Sequence, residues 1–482
     1  MTAQSTPHFV NRDNEIRRII TIVRSDIRKS TLINAPSGFG KSALLEKVIE
    51  KLQGEHRDYA YALVSAHSIA TIEEIARLFL QEFKIPESED LPKNPGRELA
   101  RCLNKRFFNS NTLDVNITRV VLIVDFDVFP EDINKIIVDF ISDIRENLKH
   151  LEKSPKVDLI VAGKILKTVE LLSYPELVTL SPLTYEHVYA TAAQYLRGHH
   201  SQAISEAAAH VFYLTGGHPQ CMAALLNALA DSRDAPDIYF DPKSNRQHWD
   251  TQIQPVFEKV EREIPSNLSD FADVITALSV YRYLDNAILT NHCDSYPLTG
   301  CPTCEDLKQK LTAAYIYPTN NRGVYLCDGV YRRLLTIKLR YEQPERLRTL
   351  CETSATRCLE KIATANEPKL WALEYLFQRL QVLSLEPLED AADRQAALEG
   401  FLFDEVKQVV DALYQHQRNW HDFTELVALV TQQLSQPSES DQMGHWELSF
   451  LFNYVFREKA YNEELIRKLT HALEQERDRY RS

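Results

Sequence analysis

A chain of 482 residues has room for about three domains, and its 44% apolar content is enough to build ordinary soluble cores. The formal charge of −13 opposes nonspecific attraction to nucleic acid or to an anionic membrane. No apolar run approaches the roughly 20 residues of a membrane span, no basic-then-apolar leader opens the chain, and the eight scattered cysteines read as reduced thiols rather than a disulfide framework, so the expected compartment is cytoplasmic.

In chain order, the first run with chemistry is residues 34 to 42, Asn-Ala-Pro-Ser-Gly-Phe-Gly-Lys-Ser. It follows the apolar strand Thr31-Leu32-Ile33 and precedes the amphipathic run Ala43-Leu44-Leu45-Glu46-Lys47-Val48-Ile49. Small residues let successive backbone N–H groups turn inward, and a helix starting near Lys41 aims its positive end at the same spot. The pattern predicts a phosphate-binding loop in which Pro36, Ser37, Gly38, Phe39, Gly40, Lys41, Ser42 and Ala43 contact a nucleotide. Lys41 reaches the β- and γ-phosphates and the Ser42 hydroxyl binds Mg²⁺. The usual first glycine is Ala35, which costs little where φ stays negative.

Apolar, β-branched runs at 59–64, 120–124 and 159–161 alternate with long helix-period stretches. That alternation predicts a parallel αβα sandwich, a P-loop nucleotide-binding core over residues 1–182. Asp125 ends the run Val120-Val121-Leu122-Ile123-Val124 on a neighbouring strand, where a carboxylate organises Mg²⁺ together with Ser42. Phe126 leaves no acid directly after it, so Asp127 is the nearest candidate to activate a water. The strand at 158–161 ends in Ala162-Gly163-Lys164, which brings Lys164 toward the γ-phosphate as a sensor.

Beyond Leu183 the strand signals stop. Helical patterns at 185–196 and 204–214, then the turn Gly216-Gly217, predict a helical lid over 183–232. Residues 233–263, with Pro236 and Pro242, read as a linker. Residues 264–343 read as helices at 268–281, 284–293 and 304–314, then a hairpin of 315–318 and 324–326 around the tip Asn320-Asn321-Arg322-Gly323, which is winged-helix order. From 344 to 482 the chain is all-helical, with segments at 347–362, 370–385, 391–414, 420–434 and 446–456 and no fixed repeat period. It serves as a platform for a partner or as a bundle packed on the winged helix. Trp371, Trp420 and Trp446 are core anchors, and Cys351 and Cys358, seven apart, share a packed face.

A resemblance adds to this reading. Phe9-Val10-Asn11-Arg12-Asp13-Asn14-Glu15-Ile16 resembles the F-V-G-R-x-x-E-L box that opens STAND signalling ATPases and related AAA+ proteins, with Asn11 for the glycine. Thr179-Leu180-Ser181-Pro182-Leu183-Thr184 resembles their L-x-P-L-T step into the lid, and Gly217-His218-Pro219 is similar to their G-x-P signature. With the phosphate loop, these boxes stand in family order, and the resemblance, counting the winged helix, spans about residues 7 to 340. The resemblance implies bound ATP or ADP with Mg²⁺, Arg12 and Pro219 bordering the adenine, Lys41 and Ser42 on phosphate and Mg²⁺, Asp125 completing the metal site and Lys164 at the sensor position. The family's histidine-aspartate pair after the hairpin falls on Cys327-Asp328, and cysteine lacks the imidazole donor, so that latch does not transfer.

Two further signals are weak. Cys301-Pro302-Thr303-Cys304 with Cys293, and with His292 or Cys327, makes a single-pair zinc set without its second pair, and buried or incidental thiols are the default. Residues 264–341 hold eight Lys or Arg against seven Asp or Glu, a poor surface for duplex phosphate, although Arg322, Arg332 and Arg333 are candidates to touch it. The expectation is an ATP/ADP-binding signalling switch with slow hydrolysis, nucleotide-dependent self-association and a protein partner or effector supplied in trans. The alternatives are an AAA+ DNA-associated ATPase using its winged helix on duplex DNA, and a scaffold with a permanently bound nucleotide.

Overall fold

Continuous apolar strands buried on both faces build a parallel sheet, because a parallel ladder needs a crossover for every strand and the crossovers cover it. A computed structural model describes residues 12–25, 30–35, 38–56, 58–66, 70–86, 93–108, 117–126, 139–149, 156–163, 176–231, 272–295, 316–318, 324–327, 329–365, 367–386, 391–415 and 445–456, with isolated positions at 250–258, 471 and 475. The chain divides into two compact units, Met1–Leu183 with His218–Ala224, and Thr184–Gly217 with Leu225–Ser482.

In the first unit, α1 (Asp13–Arg24) is followed by β1 (Thr31–Asn34), α2 (Lys41–Glu55), β2 (Tyr59–Ala66), α3 (Ile72–Glu82), α4 (Pro95–Leu103), β3 (Arg119–Phe126), α5 (Ile141–Leu148), β4 (Lys156–Gly163) and β5 (Glu176–Thr179). The strands form one sheet in the order β2-β3-β4-β1-β5, every pair parallel. This is the αβα P-loop fold that the apolar runs predict, with one strand more. The fifth strand, Glu176-Leu177-Val178-Thr179, buries only Val178, so it carries no apolar run to announce it.

Strand parity divides the packing between the two faces. Val120, Leu122, Val124 and Phe126 join one core with Leu32, Leu159, Phe79, Leu99 and Ile144. Val121 and Ile123 are equally buried and point to the opposite face, the one that Asp125 shares with them by its period-2 position. At the far end of the strands Arg119 donates to Asp158 at 2.9 Å, both buried, with its guanidinium 5.4 Å from the Tyr59 ring centre. Helix α1 buries Ile16, Ile19, Ile20 and Val23, the i, i+3, i+4, i+7 stripe of a helix packed on one side.

The second unit holds α6 (Tyr185–Tyr195) and α7 (Ser201–Thr215), while α8 (Pro219–Asp231) begins in the first. It continues with α9 (Ala272–Leu278), β6 (Tyr283–Asp285), α10 (Asn286–Ser295), β7 (Ile316–Pro318), β8 (Val324–Cys327) and α11 (Gly329–Glu342). The tail follows as α12 (Pro344–Thr364), α13 (Pro368–Leu383), α14 (Ala391–Gly400), α15 (Val406–Gln415) and α16 (His445–Phe456). The expected hairpin is present, and β6 pairs with it in the antiparallel order β6-β8-β7. The helix expected from residue 284 therefore starts at Asn286, because Tyr283, Leu284 and Asp285 pair with β8, and Asp285 then caps the helix by accepting from the Ile288 N–H at 2.9 Å. The helix expected at 304–314, the tip at 320–323 and the tail segment at 420–434 lie outside the described residues.

One hydrophobic core runs through these pieces, from Val274 and Leu278 through Leu284, Cys327 and Leu335 to Cys351, Trp371, Phe401, Phe452 and Val455. Trp371 is buried in it as a core anchor, Cys351 and Cys358 as their helical spacing predicts, and burial pushes both thiols' pKa values upward, that of Cys351 to about 12. Two sets of buried ions lie within the same unit. Arg282 donates through Nε to Glu374 at 2.8 Å and stacks 4.1 Å from the Phe377 ring centre. Glu447 accepts from Arg332 at 2.5 Å and from Arg333 Nε at 2.7 Å, and Arg333 also donates to the Phe212 carbonyl in the last turn of α7 at 3.0 Å.

Burial opposes the Glu447 charge, but Arg332, Arg333 and Arg282 outweigh it and hold its pKa at about 2. The folded pKa therefore lies below the ordinary glutamate value of about 4.3. Its contribution to stability is complete above that value and disappears as pH falls toward 2. Replacing Glu447 with Gln strands two buried guanidinium groups, and urea unfolding at neutral pH is expected to show a loss of about 3–5 kcal/mol. The variant's stability should also fall less steeply than the wild type's between pH 5 and pH 2.

Candidate nucleotide site

The site begins where β1 ends. Gly38 (φ +72°) and Gly40 (φ +81°) both take left-handed backbone, which L side chains rarely adopt, while Ala35 at the usual first-glycine position keeps φ negative and pairs its N–H with the Gly163 carbonyl at 2.9 Å. The alanine is thus tolerated for the reason that the sequence suggests. Gly40 is the N-cap of α2, and no side chain caps that helix, nor does any acid stand in its first turn. By contrast α1, α3 and α4 each carry acidic residues in their first turns. The free N–H groups and positive end of α2 are left for an anion.

Lys41 and Ser42, the first two residues of α2, both meet Asp125. Lys41 Nζ lies 3.0 Å from Asp125 Oδ1 and also contacts the Phe126 carbonyl. Ser42 Oγ donates to Asp125 Oδ2 at 2.7 Å. The carboxylate does not sit on a strand next to β1, as expected, because β4 is inserted between β1 and β3. It reaches the loop through the length of the Lys41 side chain and the position of Ser42 at the helix start. A hydroxyl and a carboxylate this close form an all-oxygen donor set, which suits a hard cation such as Mg²⁺. Ser42 and Asp125 would hold that ion, whose charge would offset that of a bound phosphate.

Other sequence boxes converge on the same unit. Arg12, buried, donates to the Ser181 carbonyl at 2.7 Å and to Glu15 at 3.2 Å, so the opening box is tied to the L-x-P-L-T box. Burial lowers the Arg12 pKa, and Glu15 offsets part of that. Pro219 is the first residue of α8, a position that needs no N–H donor. Ala43 lies in the first turn of α2.

Two contacts escaped the sequence reading. The Gln220 N–H donates to the Gly38 carbonyl at 3.1 Å, and His218, only 1% exposed, packs its ring edge-on to Phe39 with centroids 5.1 Å apart. The G-x-P resemblance draws attention to Pro219 and treats the histidine as a spacer, although a polar ring between a glycine turn and a helix start is itself a signal. Pro36, Ser37, Asp127, Lys164, Asp328, Cys301 and Cys304 lie outside the described residues, as does the Cys293 side chain. Among the described residues no group of three or more His, Cys, Asp or Glu is placed to hold a metal, and no helix is long and apolar enough to cross a membrane.

No protein-family model matches the chain, and no curated protein matches it. Solved structures give distant likenesses. A Walker-type ATPase of Pyrococcus abyssi has a TM-score of 0.46 at 14% identity, over 68% of this chain and 96% of that one. The ORC2 protein of Aeropyrum pernix, in ADPNP–ADP complexes, has a TM-score of 0.43 at 10% identity, over 71% and 97%. A STAND protein with a tetratricopeptide repeat sensor from Pyrococcus horikoshii has a TM-score of 0.31 at 13% identity, over 95% and 72%. Values this low describe a distant similarity to AAA+ and STAND ATPases and carry nothing about ligands or partners.

The geometry separates the roles of Lys41 and Asp125. Lys41→Ala removes a charged donor to phosphate, and titration with a fluorescent ADP or ATP analogue should show affinity lower by at least about 10- to 100-fold. Asp125→Asn releases Lys41 from its ion pair, so binding in EDTA should be retained or tightened while the enhancement by Mg²⁺ is lost. Equal losses with and without Mg²⁺ would contradict the metal role of Asp125.

Proposed function

We propose that the chain is an ATP/ADP-binding switch of STAND type, with slow hydrolysis, whose nucleotide state is read by a protein partner. The observation that carries this reading is the meeting of Lys41, Ser42 and Asp125 at the uncovered positive end of α2. A phosphate arriving there finds free N–H groups, and it competes with Asp125 for Lys41. Asp125 and Ser42 are then available to the metal. The energy for switching comes from different affinities of two arrangements for ADP and ATP, so fast turnover is unnecessary.

The helical tail is the proposed sensor or partner surface, and an effector is supplied in trans. The duplex-binding alternative is weakened by the burial of Arg332 and Arg333 against Glu447, which removes two of its three candidate cations from solvent. A reducing, cytoplasmic setting suits Cys102, Cys221, Cys327, Cys351 and Cys358, which are buried and in no disulfide.

The direct test is to purify the protein, denature it, and identify and count the released nucleotide before and after incubation with Mg²⁺-ATP. The expected result is ADP at close to one per chain, exchangeable for ATP, with a change in oligomer size by light scattering. A nucleotide that never exchanges would replace the switch with the scaffold, and a chain that neither carries nor takes up nucleotide would overturn the reading.

A further inference from the structure

We propose that His218 is a positioning residue of the phosphate loop, fixing the backbone at Gly38 through the Nε2 edge of its ring. The inference rests on the reading of residues 34 to 42 as the nucleotide site. It goes beyond that reading by giving loop order, and hence affinity, to a side chain outside the loop.

Three observations carry it. The first is a close approach: a Cβ added at Gly38 would lie 2.4 Å from His218 Cε1 and 3.0 Å from His218 Nε2, and 2.8 Å from the Gln220 side-chain oxygen. The histidine edge therefore forms the wall on the face of Gly38 where any other residue would carry its side chain. The second is the orientation of the ring. His218 Nδ1 accepts from the Cys221 N–H at 3.3 Å, which in the neutral imidazole leaves the proton on Nε2, the nitrogen on the Gly38 side. The third is that neighbouring groups hold the same stretch. The Gln220 N–H binds the Gly38 carbonyl, and the Phe39 ring meets the His218 ring edge-on. Gly38 is thus walled on its side-chain face and bonded at its carbonyl, and the ring of the residue after it packs on the same histidine.

The consequence follows from what a phosphate loop must do. It binds by aiming several backbone N–H groups at one anion, and a loop with glycines at φ +72° and +81° has many other conformations open to it. Ordering it at the moment of binding subtracts from affinity, whereas a loop already walled by a buried ring has lost that freedom beforehand. His218 touches no reacting atom in this account. It acts through Gly38.

The two ring nitrogens have separable mimics, which allows the roles to be tested apart. In His218→Asn the side-chain oxygen replaces Nδ1 and keeps the bond from the Cys221 N–H, but nothing stands at Nε2. In His218→Gln the amide extends to the Nε2 position and the bond from Cys221 is lost. Affinities for a fluorescent ADP analogue are measured for both variants and the wild type, with Tm of the nucleotide-free protein as the folding readout and amide exchange at residues 38–41 as the readout of loop order.

The expected result is that His218→Asn binds roughly 10-fold more weakly and shows faster exchange across the loop at nearly unchanged Tm, while His218→Gln stays within about threefold of the wild type. Asn binding as tightly as the wild type, or Gln losing as much as Asn, would reduce His218 to a helix cap and overturn the proposal. If the Asn variant does not fold, His218→Ala takes its place: affinity kept by Gln and lost by Ala supports the role, and equal affinities overturn it. A wild type that binds neither ADP nor ATP would instead overturn the nucleotide reading on which the proposal stands.

Discussion

The whole site depends on one helix end that carries no acid of its own. Helices α1, α3 and α4 begin with acids in their first turns, which answer their own positive ends. Helix α2 begins with Gly40 in a left-handed conformation, then Lys41 and Ser42, so cationic charge is added where the dipole is already positive. Asp125 supplies the internal counter-ion, 3.0 Å from Lys41, and this sets the order of events that a ligand imposes. In the proposed function, a phosphate that takes Lys41 would free the carboxylate, which stands beside a hydroxyl that a hard cation could share. Phosphate and metal would then be coupled through one aspartate.

The sheet order makes this coupling possible. With β4 inserted between β1 and β3, the carboxylate stands one strand away from the strand that carries the loop, and β4 ends in the small residues Ala162 and Gly163. The Gly163 carbonyl is spent on the Ala35 N–H, which anchors the start of the loop to the strand beside it. The far end of the same strands is closed by the buried Arg119–Asp158 pair, so polar chemistry lies at both ends of a sheet that is apolar between them.

The second unit obeys a different constraint. Arg282 with Glu374, and Arg332 and Arg333 with Glu447, bring together segments about a hundred residues apart inside an apolar core. Buried pairs of this kind add little net stability over apolar packing, but leaving one member alone is costly, so they restrict which faces can meet. Arg333 serves both the tail glutamate and the last turn of α7. Together with the stacking of Phe450 on Tyr213 and the edge-on contacts of Phe450 and Tyr454 with His210, this guanidinium group ties α16 to α7.

The sequence by itself determined what local order and composition can specify. Apolar runs gave four parallel strands, small residues before Lys41-Ser42 marked the loop, and Asp125 stood out as the acid that ends the run Val120 to Val124. The hairpin followed from turn chemistry, the shared buried face of Cys351 and Cys358 from helical spacing, and the burial of Trp371 from its bulk at a helix start. Tertiary structure alone decided β5, whose exposed edge leaves no apolar run, and the insertion of β4 beside β1, since pairing order is not written in any single strand. It also decided that His218 walls Gly38 and that Glu447 meets Arg332 and Arg333. Those contacts join residues more than a hundred positions apart, and no periodicity or motif reports a distance that only folding closes.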